Sequence, residues 1–302
     1  MNGKKILIVG SSNTDMVIKT HNFPAPGETI LGGRFLMNAG GKGANQAVAA
    51  ARLGGMVTFV GKIGDDIFGK QAVQQLEDEG INVDFVAVDP ENPSGVALIT
   101  VDKKGENSIV VAPGSNGTLS AADFDKAIAE LYESEYVLMQ LEIPIPTVEH
   151  IARMAALKQK KVVLNPAPAA ELTDELLQNL YIITPNETEA ELLTGIKVTD
   201  ESSALKAASA LNEKGVEIVI ITMGSAGAFL LANGNSEIIK APKVEAVDTT
   251  AAGDTFNGAL VVALSEGKTI QESIVFANKA AAISVTRIGA QSSVPFRKEI
   301  SN

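Results

Sequence analysis

Short, nearly uninterrupted apolar runs constrain this chain more than any other feature: Lys5–Val9, Tyr136–Leu141, Val162–Leu164, Ile182–Ile183 and Ile218–Ile221. A strand that alternates apolar and polar residues can leave one face wet, whereas a continuous apolar strand has to be covered on both faces. Helical periodicity fills the intervals, at Ala44–Leu53, Gly69–Glu79, Ala121–Leu131, Val148–Lys158, Glu187–Leu193 and Ala204–Lys214. Two longer helical patterns, Ala251–Ser265 and Ile270–Arg287, follow the last run. Strands and helices alternating at this spacing predict βαβ units in an α/β fold: a doubly wound, mostly parallel sheet flanked by helices. Two segments break the pattern. Met16–Leu36 carries Pro24, Pro26, Gly27 and Gly32-Gly33, and Val96–Val111 holds two short runs around Asp102-Lys103-Lys104-Gly105. Both read as hairpins with turn chemistry. They predict a small β-sheet lid built from roughly residues 14–38 and 95–111, inserted in a single domain spanning 1–302; a β-meander at the edge of the main sheet is the alternative.

Composition narrows the function. The chain has no cysteine, which excludes disulfides, thiolate zinc sites and cysteine nucleophiles. Its net charge of -11 repels nucleic acid and anionic membrane surfaces, so neither is expected as a partner. An anionic ligand would need local backbone donors to overcome that field. No segment approaches the ~20 apolar residues of a membrane span, and Met1–Lys5 leads straight into the first strand without a cleavage pattern. The expected location is cytoplasmic, and the Asn-x-Thr triplets at Asn116 and Asn186 are then chance matches to a glycosylation pattern.

The segment Asp248-Thr249-Thr250-Ala251-Ala252-Gly253-Asp254 ends a short apolar stretch and opens an amphipathic helix. Ala251, Ala252 and Gly253 let a ligand approach the backbone, and the first turn of a helix offers unpaired N–H groups with a partial positive charge. Together they make a phosphate site without a lysine. A carboxylate at Asp254 would compete with that phosphate unless it accepts a proton from a nucleophile, which suggests phosphoryl transfer to a hydroxyl with Asp254 as base. Helix-start preference for Asp explains the residue equally well.

Other constellations carry the same ambiguity. Gly40-Gly41-Lys42-Gly43-Ala44-Asn45-Gln46 is a glycine-rich helix start, but neither a Walker A loop nor a dinucleotide fingerprint. Lys42 and Asn45 offer donors for hydroxyls; a tight turn is the alternative. Asn13 and Asp15 follow the first strand, where ligands sit in open α/β sheets, although an Asx-turn would use the same residues. Gly64–Lys70 fits G-x-x-x-x-G-K but lacks the following Ser or Thr, and reads as a helix start. Asn186 and Glu189 could hold the water shell of Mg²⁺ or form a capping box; both can be true. His21 and His150 are the only histidines and lie near no motif, so a histidine base or histidine-rich metal site is not expected.

These motifs resemble those of the PfkB carbohydrate kinase family over nearly the whole chain. Gly40–Ala50 looks like the family's N-terminal signature and Asp248–Gly258 like its C-terminal one. Asn165-Pro166-Ala167-Pro168-Ala169, Thr184–Glu189 and Gly289-Ala290-Gln291 through Val294-Pro295 are similar to its ribokinase-like members. The resemblance implies ATP-dependent phosphorylation of D-ribose at the 5-hydroxyl; a kinase for another sugar or a nucleoside, or a non-catalytic sugar-binding regulator, is the alternative. It implies a sugar site at Asn13, Asp15, Gly41, Lys42, Gly43, Asn45 and Glu142, with Asp254 as base and Ala251, Ala252 and Gly253 as anion hole. It implies ATP contacts at Asn186, Thr222, Gly224, Gly227, Gly253 and Asn278, with Glu189 in the Mg²⁺ shell. A monovalent cation, K⁺ in the expected case, would sit at Asp248, Thr250, Ser284, Arg287, Gly289 and Ser293. The lid sheet would close over the sugar and pair with a second subunit in a homodimer.

Overall fold

Ile6 and Ile8 of the first strand bury into one hydrophobic cluster and Leu7 and Val9 into another. All four are wholly inaccessible, so the strand is covered on both faces, as its unbroken apolar run predicts. The chain, described for residues 5–31 and 33–300 by a computed structural model, is built around that strand. The readings placed on Met1–Lys4 and on Gly32 lie outside the described residues.

The strands are β1 (Lys5–Val9), β2 (Asn13–Lys19), β3 (Arg34–Gly40), β4 (Met56–Val60), β5 (Lys62–Gly64), β6 (Ala87–Asp89), β7 (Gly95–Val101), β8 (Asn107–Ala112), β9 (Tyr136–Met139), β10 (Lys161–Leu164), β11 (Ile182–Ile183), β12 (Ile218–Thr222), β13 (Ala228–Ala232) and β14 (Asn235–Ile239). Eight form the main sheet in the order β14-β13-β12-β11-β10-β9-β1-β4. Pairing is parallel from β4 to β12 and antiparallel at β12-β13-β14. One face is covered by helices Lys42–Arg52, Ala252–Ser265 and Ile270–Ser284, through residues such as Ala47, Leu260 and Ala277. The other is covered through Phe124, Leu131, Ile151 and Leu211. Helices Lys42–Arg52 and Ala252–Ser265 cross so closely that a Cβ on Gly258 would stand 2.6 Å from the Cβ of Ala49. Among the described residues, no helix is long and apolar enough to cross a membrane.

The second sheet, ordered β3-β2-β7-β8, stands apart from the first rather than extending its edge. Register places Asn38, Asp15, Ala97 and Val111 in one cross-strand row and Met37, Met16, Leu98 and Val110 in the adjacent row on the opposite face.

Some expectations shift. The helix expected at Ala121–Leu131 is two short helices, Ala121–Asp125 and Ile128–Glu133. The backbone leaves helical geometry at Ala127, yet Phe124, Ala127 and Leu131 stay buried, so packing on the sheet outweighs one continuous hydrogen-bond ladder. Gly64–Lys70 is indeed a helix start: the Asp66 side chain accepts from the Gly69 amide and caps Ile67–Asp78. The hairpin β13-β14 escaped the periodicity reading, although Asn233-Gly234, both at positive φ, carry the dipeptide signal for a two-residue turn.

Candidate active site

At the carboxyl ends of β1 and β9 a cavity of about 740 Å³ opens, lined by Asn13, Asp15, Gly41, Lys42, Asn45, Glu142 and Asp254. Ligands of open α/β sheets sit at such strand ends. Ala97, Ile99, Ile109 and Val111 of the small sheet line its other side. Gly43 does not line it: a Cβ there would stand 2.6 Å from the Ser11 amide nitrogen, so this glycine serves the close packing of loop and helix.

Hydrogen bonds hold Asn13, Asn45, Glu142 and Asp254 in place. Glu142 Oε2 accepts from Ser11 Oγ at 2.5 Å and from the Lys42 amide at 3.0 Å, tying the loop after β1 to the helix start. Asn116 accepts from the Ser12 amide at 2.9 Å and donates to Asn13 Oδ1 at 2.8 Å. Ser11 and Asn116 were not expected here. Asn116 carries no signal of this role beyond opening an Asn-x-Thr triplet, because its partners lie about a hundred residues away in the chain.

Asp254 is buried, and its carboxylate accepts from Asn45 Nδ2 at 3.0 Å and Gln46 Nε2 at 2.9 Å. Burial raises its pKa, against the pull of Lys42 and the two amides. Burial disfavours charge on Lys42, but Asp254, Glu142, Glu189 and Asp15 together hold its pKa above the ordinary lysine value. Asp15 is pushed from 3.8 to about 7, mainly by burial and then by Glu142 and Asp254, with Lys42 opposing. Between those pH values the folded chain holds a proton that the unfolded chain has released, so this group lowers stability as pH rises through the window. Asp15→Asn is therefore expected to melt roughly 2–6 °C above the parent at pH 8 and no higher at pH 4. Equal melting temperatures at pH 8 in a thermal scan would contradict the assignment.

Helix Ala252–Ser265 begins on Ala251, a non-glycine residue in the left-handed region (φ 57°), with no side-chain cap. Such a conformation persists only where its surroundings impose it. Ala251 and Asp254 face the first cavity. Ala252 and Gly253 face a second, of about 790 Å³, which Asn186, Thr222, Gly224, Gly227 and Asn278 also line. The Ala252 amide donates to the Thr249 carbonyl at 3.2 Å, so a phosphate there would share or displace that long contact. The second cavity also takes Lys243, Val244, Ala246, Phe256 and Ala281, none of which was given a role from the sequence.

Asn186 and Glu189 form the reciprocal capping box of helix Glu187–Thr194. Glu189 is buried, which raises its pKa; the Asn186 amide and Lys42 oppose the shift. Asp248 accepts from the amides of Thr250 and Gly289, both at 2.9 Å, which brings two of the expected cation positions to it. Arg287 Nη2 donates instead to Glu299 Oε1 at 2.5 Å, and the hydroxyls of Ser284 and Ser293 donate to local carbonyls. Among the described residues, no group of three or more His, Cys, Asp or Glu side chains is placed to hold a metal ion. A cation beside Asp248 would draw on backbone and hydroxyl oxygens, a donor set suited to a hard ion.

Residues 3–297 match the pfkB family carbohydrate kinase model. The chain is 51% identical over 296 residues to a ribokinase of Haemophilus influenzae, covering 98% of this chain and 97% of that one. It is 38% identical over 291 residues to a deoxyribokinase of Salmonella typhi, covering 96% and 95%. An Arabidopsis thaliana ribokinase solved with ribose and ATP superposes with a TM-score of 0.93 at 33% identity, covering 99% and 98%.

Proposed function

This chain belongs to the pfkB family of carbohydrate kinases, and on that premise we propose that it transfers the γ-phosphoryl group of ATP to the 5-hydroxyl of D-ribose, releasing D-ribose 5-phosphate and ADP. One observation carries the reaction class. Two cavities meet at a single helix start, with a buried carboxylate on one side and small-residue backbone on the other. Ribose as the acceptor is supported by the relatives named ribokinase and by the ribose and ATP of the Arabidopsis protein. The polar wall of Asn13, Asp15, Lys42, Asn45 and Glu142 suits a small polyhydroxy ring.

In this reading Asp254 accepts the proton of the 5-hydroxyl as its oxygen attacks the γ-phosphorus in line, and the bond to the ADP oxygen breaks. Backbone donors at Ala251, Ala252 and Gly253 meet the developing negative charge. Asn186, Thr222, Gly224, Gly227 and Asn278 hold the nucleotide. Glu189 lines neither cavity, but it follows Thr188 of the second one in the chain, and its carboxylate would suit the water shell of Mg²⁺, which would offset charge on the phosphates. Asp248, Thr250, Ser284, Gly289 and Ser293 would supply oxygen donors to K⁺ behind the anion hole. Arg287, in its pair with Glu299, would add only its backbone carbonyl. The whole chain then acts as one kinase domain. The small sheet is its lid, excluding water when the sugar is bound. A homodimer through that lid is supported by the apolar row on the far face, where Met37 is 47%, Leu98 55% and Val110 66% exposed. A cytoplasmic location would supply the ATP it depends on.

A coupled ADP-release assay over pentoses, 2-deoxyribose, hexoses and nucleosides, with and without K⁺, tests the reading. D-ribose is expected to exceed other sugars by at least about tenfold in kcat/KM, in keeping with a site built to hydrogen-bond its hydroxyls. Removal of K⁺ is expected to lower turnover. Equal rates across the panel would remove the ribose assignment, and no response to K⁺ would remove the cation site.

A further inference from the structure

Behind the Asp254 carboxylate runs a buried polar chain that the reaction above does not use. Gln46 is wholly buried; its Nε2 donates to Asp254 Oδ1 at 2.9 Å and to Asn165 Oδ1 at 3.1 Å. Its Oε1 accepts from Gln140 Nε2 at 2.6 Å, an arrangement that fixes which end of the amide faces the carboxylate. Asn165 Nδ2 in turn donates to the Thr184 carbonyl at 3.3 Å. The Thr184 hydroxyl donates to Asn257 Oδ1 at 2.7 Å, and Asn257 Nδ2 donates to the Gly253 carbonyl at 2.9 Å. The chain thus leaves the Asp254 side chain and returns to the peptide of the residue before it.

Its anchors explain why this matters. Gln140, Asn165 and Thr184 directly follow β9, β10 and β11, three parallel strands of the main sheet. Gly253 and Asp254 lie in the first turn of a helix that starts on a left-handed alanine and has no side-chain cap. That helix start has no side-chain N-cap, and the buried chain ties it to the rigid sheet. Gln140 Oε1 has no partner among the described residues, but the links from Gln46 through Asn165 and Thr184 to Asn257 are all made, and buried networks of such bonds rigidify what they join.

We propose that Gln46, Asn165, Thr184 and Asn257 are positioning residues that hold the Asp254 carboxylate and the Gly253 peptide in one register, so that base and anion hole stay aligned across the two cavities. The inference rests on the role given to Asp254 above. Thr184→Val keeps the side-chain shape and removes the hydroxyl link. It is expected to lower kcat on the order of tenfold through misalignment, with KM for sugar and for ATP within about threefold of the parent. Thr184→Ser restores the hydroxyl and is expected to recover kcat to within about twofold. A purely structural role would lower the melting temperature and leave kcat unchanged, which would overturn the inference. Failure of the serine variant to recover would overturn it as well. Should Thr184→Val not fold, Asn257→Ala, which cuts the same link from the helix side, is read by the same criteria, with Gln46→Met as the corresponding cut at the carboxylate. Asp254→Asn measured alongside separates the two claims. If Asp254→Asn turns over normally, the reaction assignment is lost. If it is inactive while the Thr184→Val enzyme is unaltered, only the positioning inference is lost.

Discussion

Asp254→Asn is expected to bind the sugar within a few-fold of the parent and to turn over at least about a hundredfold more slowly, since a positioned general base contributes ~10²–10⁴-fold. The substitution nearly preserves shape. It removes the acceptor for the proton of the attacking hydroxyl and sets an amide NH₂ against one of the two donors, Asn45 Nδ2 or Gln46 Nε2, that now meet the carboxylate. The fold loses little, because burial already raises the pKa of this carboxyl against its neighbours. Sugar binding by calorimetry and phosphorylation by a coupled assay give the two numbers. Turnover within threefold of the parent would refute the base assignment. The parent itself should lose kcat as pH falls, since protonated Asp254 cannot accept the proton, and the raised pKa brings that loss to higher pH than for an exposed aspartate.

Gly41→Ala is expected to lower kcat/KM for the sugar about a hundredfold and to leave KM for ATP nearly unchanged. Gly41 has φ 88°, where a side chain is disfavoured by roughly 1–2 kcal/mol. Its Cβ would also stand 2.7 Å from the Asn13 amide nitrogen and 2.8 Å from the Ser12 Cα, both backbone atoms. The loop carrying Asn13 and Asp15 must then move, and a displacement of about 1 Å can lose on the order of 10²-fold. The nucleotide cavity shares no wall with that contact. Steady-state constants for both substrates decide the case; a sugar KM within threefold of the parent, with kcat intact, would show that the loop absorbs the methyl group.

Much of the architecture was legible in β1. Its unbroken apolar run required burial on two faces, and Ile6 and Leu7 do belong to different clusters. The small sheet was legible in its turn residues, whereas β4 and the β13-β14 hairpin were missed, the latter despite Asn233-Gly234. In the site, the chain motifs pointed to Asn13, Asp15, Lys42, Asn45 and Asp254, the family resemblance added Glu142, and the fold places all of them on one cavity. Gln46 was visible in the same motif without a role. Asn257 was likewise inside the Asp248–Gly258 motif without a role, and Asn116 and Gln140 carried no signal of a site, because a buried amide is defined by partners that local sequence does not specify.

What could be read from the chain alone, then, was the layered α/β class, the central parallel strands with most of their helices, and the chemistry available at each loop, because periodicity, turn preference and residue type are local properties. Helix capping and catalysis remained equal readings of Asp254 while only its neighbours in the chain were considered. The tertiary structure added the surroundings on which any such role depends. It buried the carboxylate under Asn45 and Gln46 from another helix, and it set two cavities on either side of one helix start. Burial, pKa and alignment depend on groups some two hundred residues distant in the chain, and only folding brings them within hydrogen-bond reach.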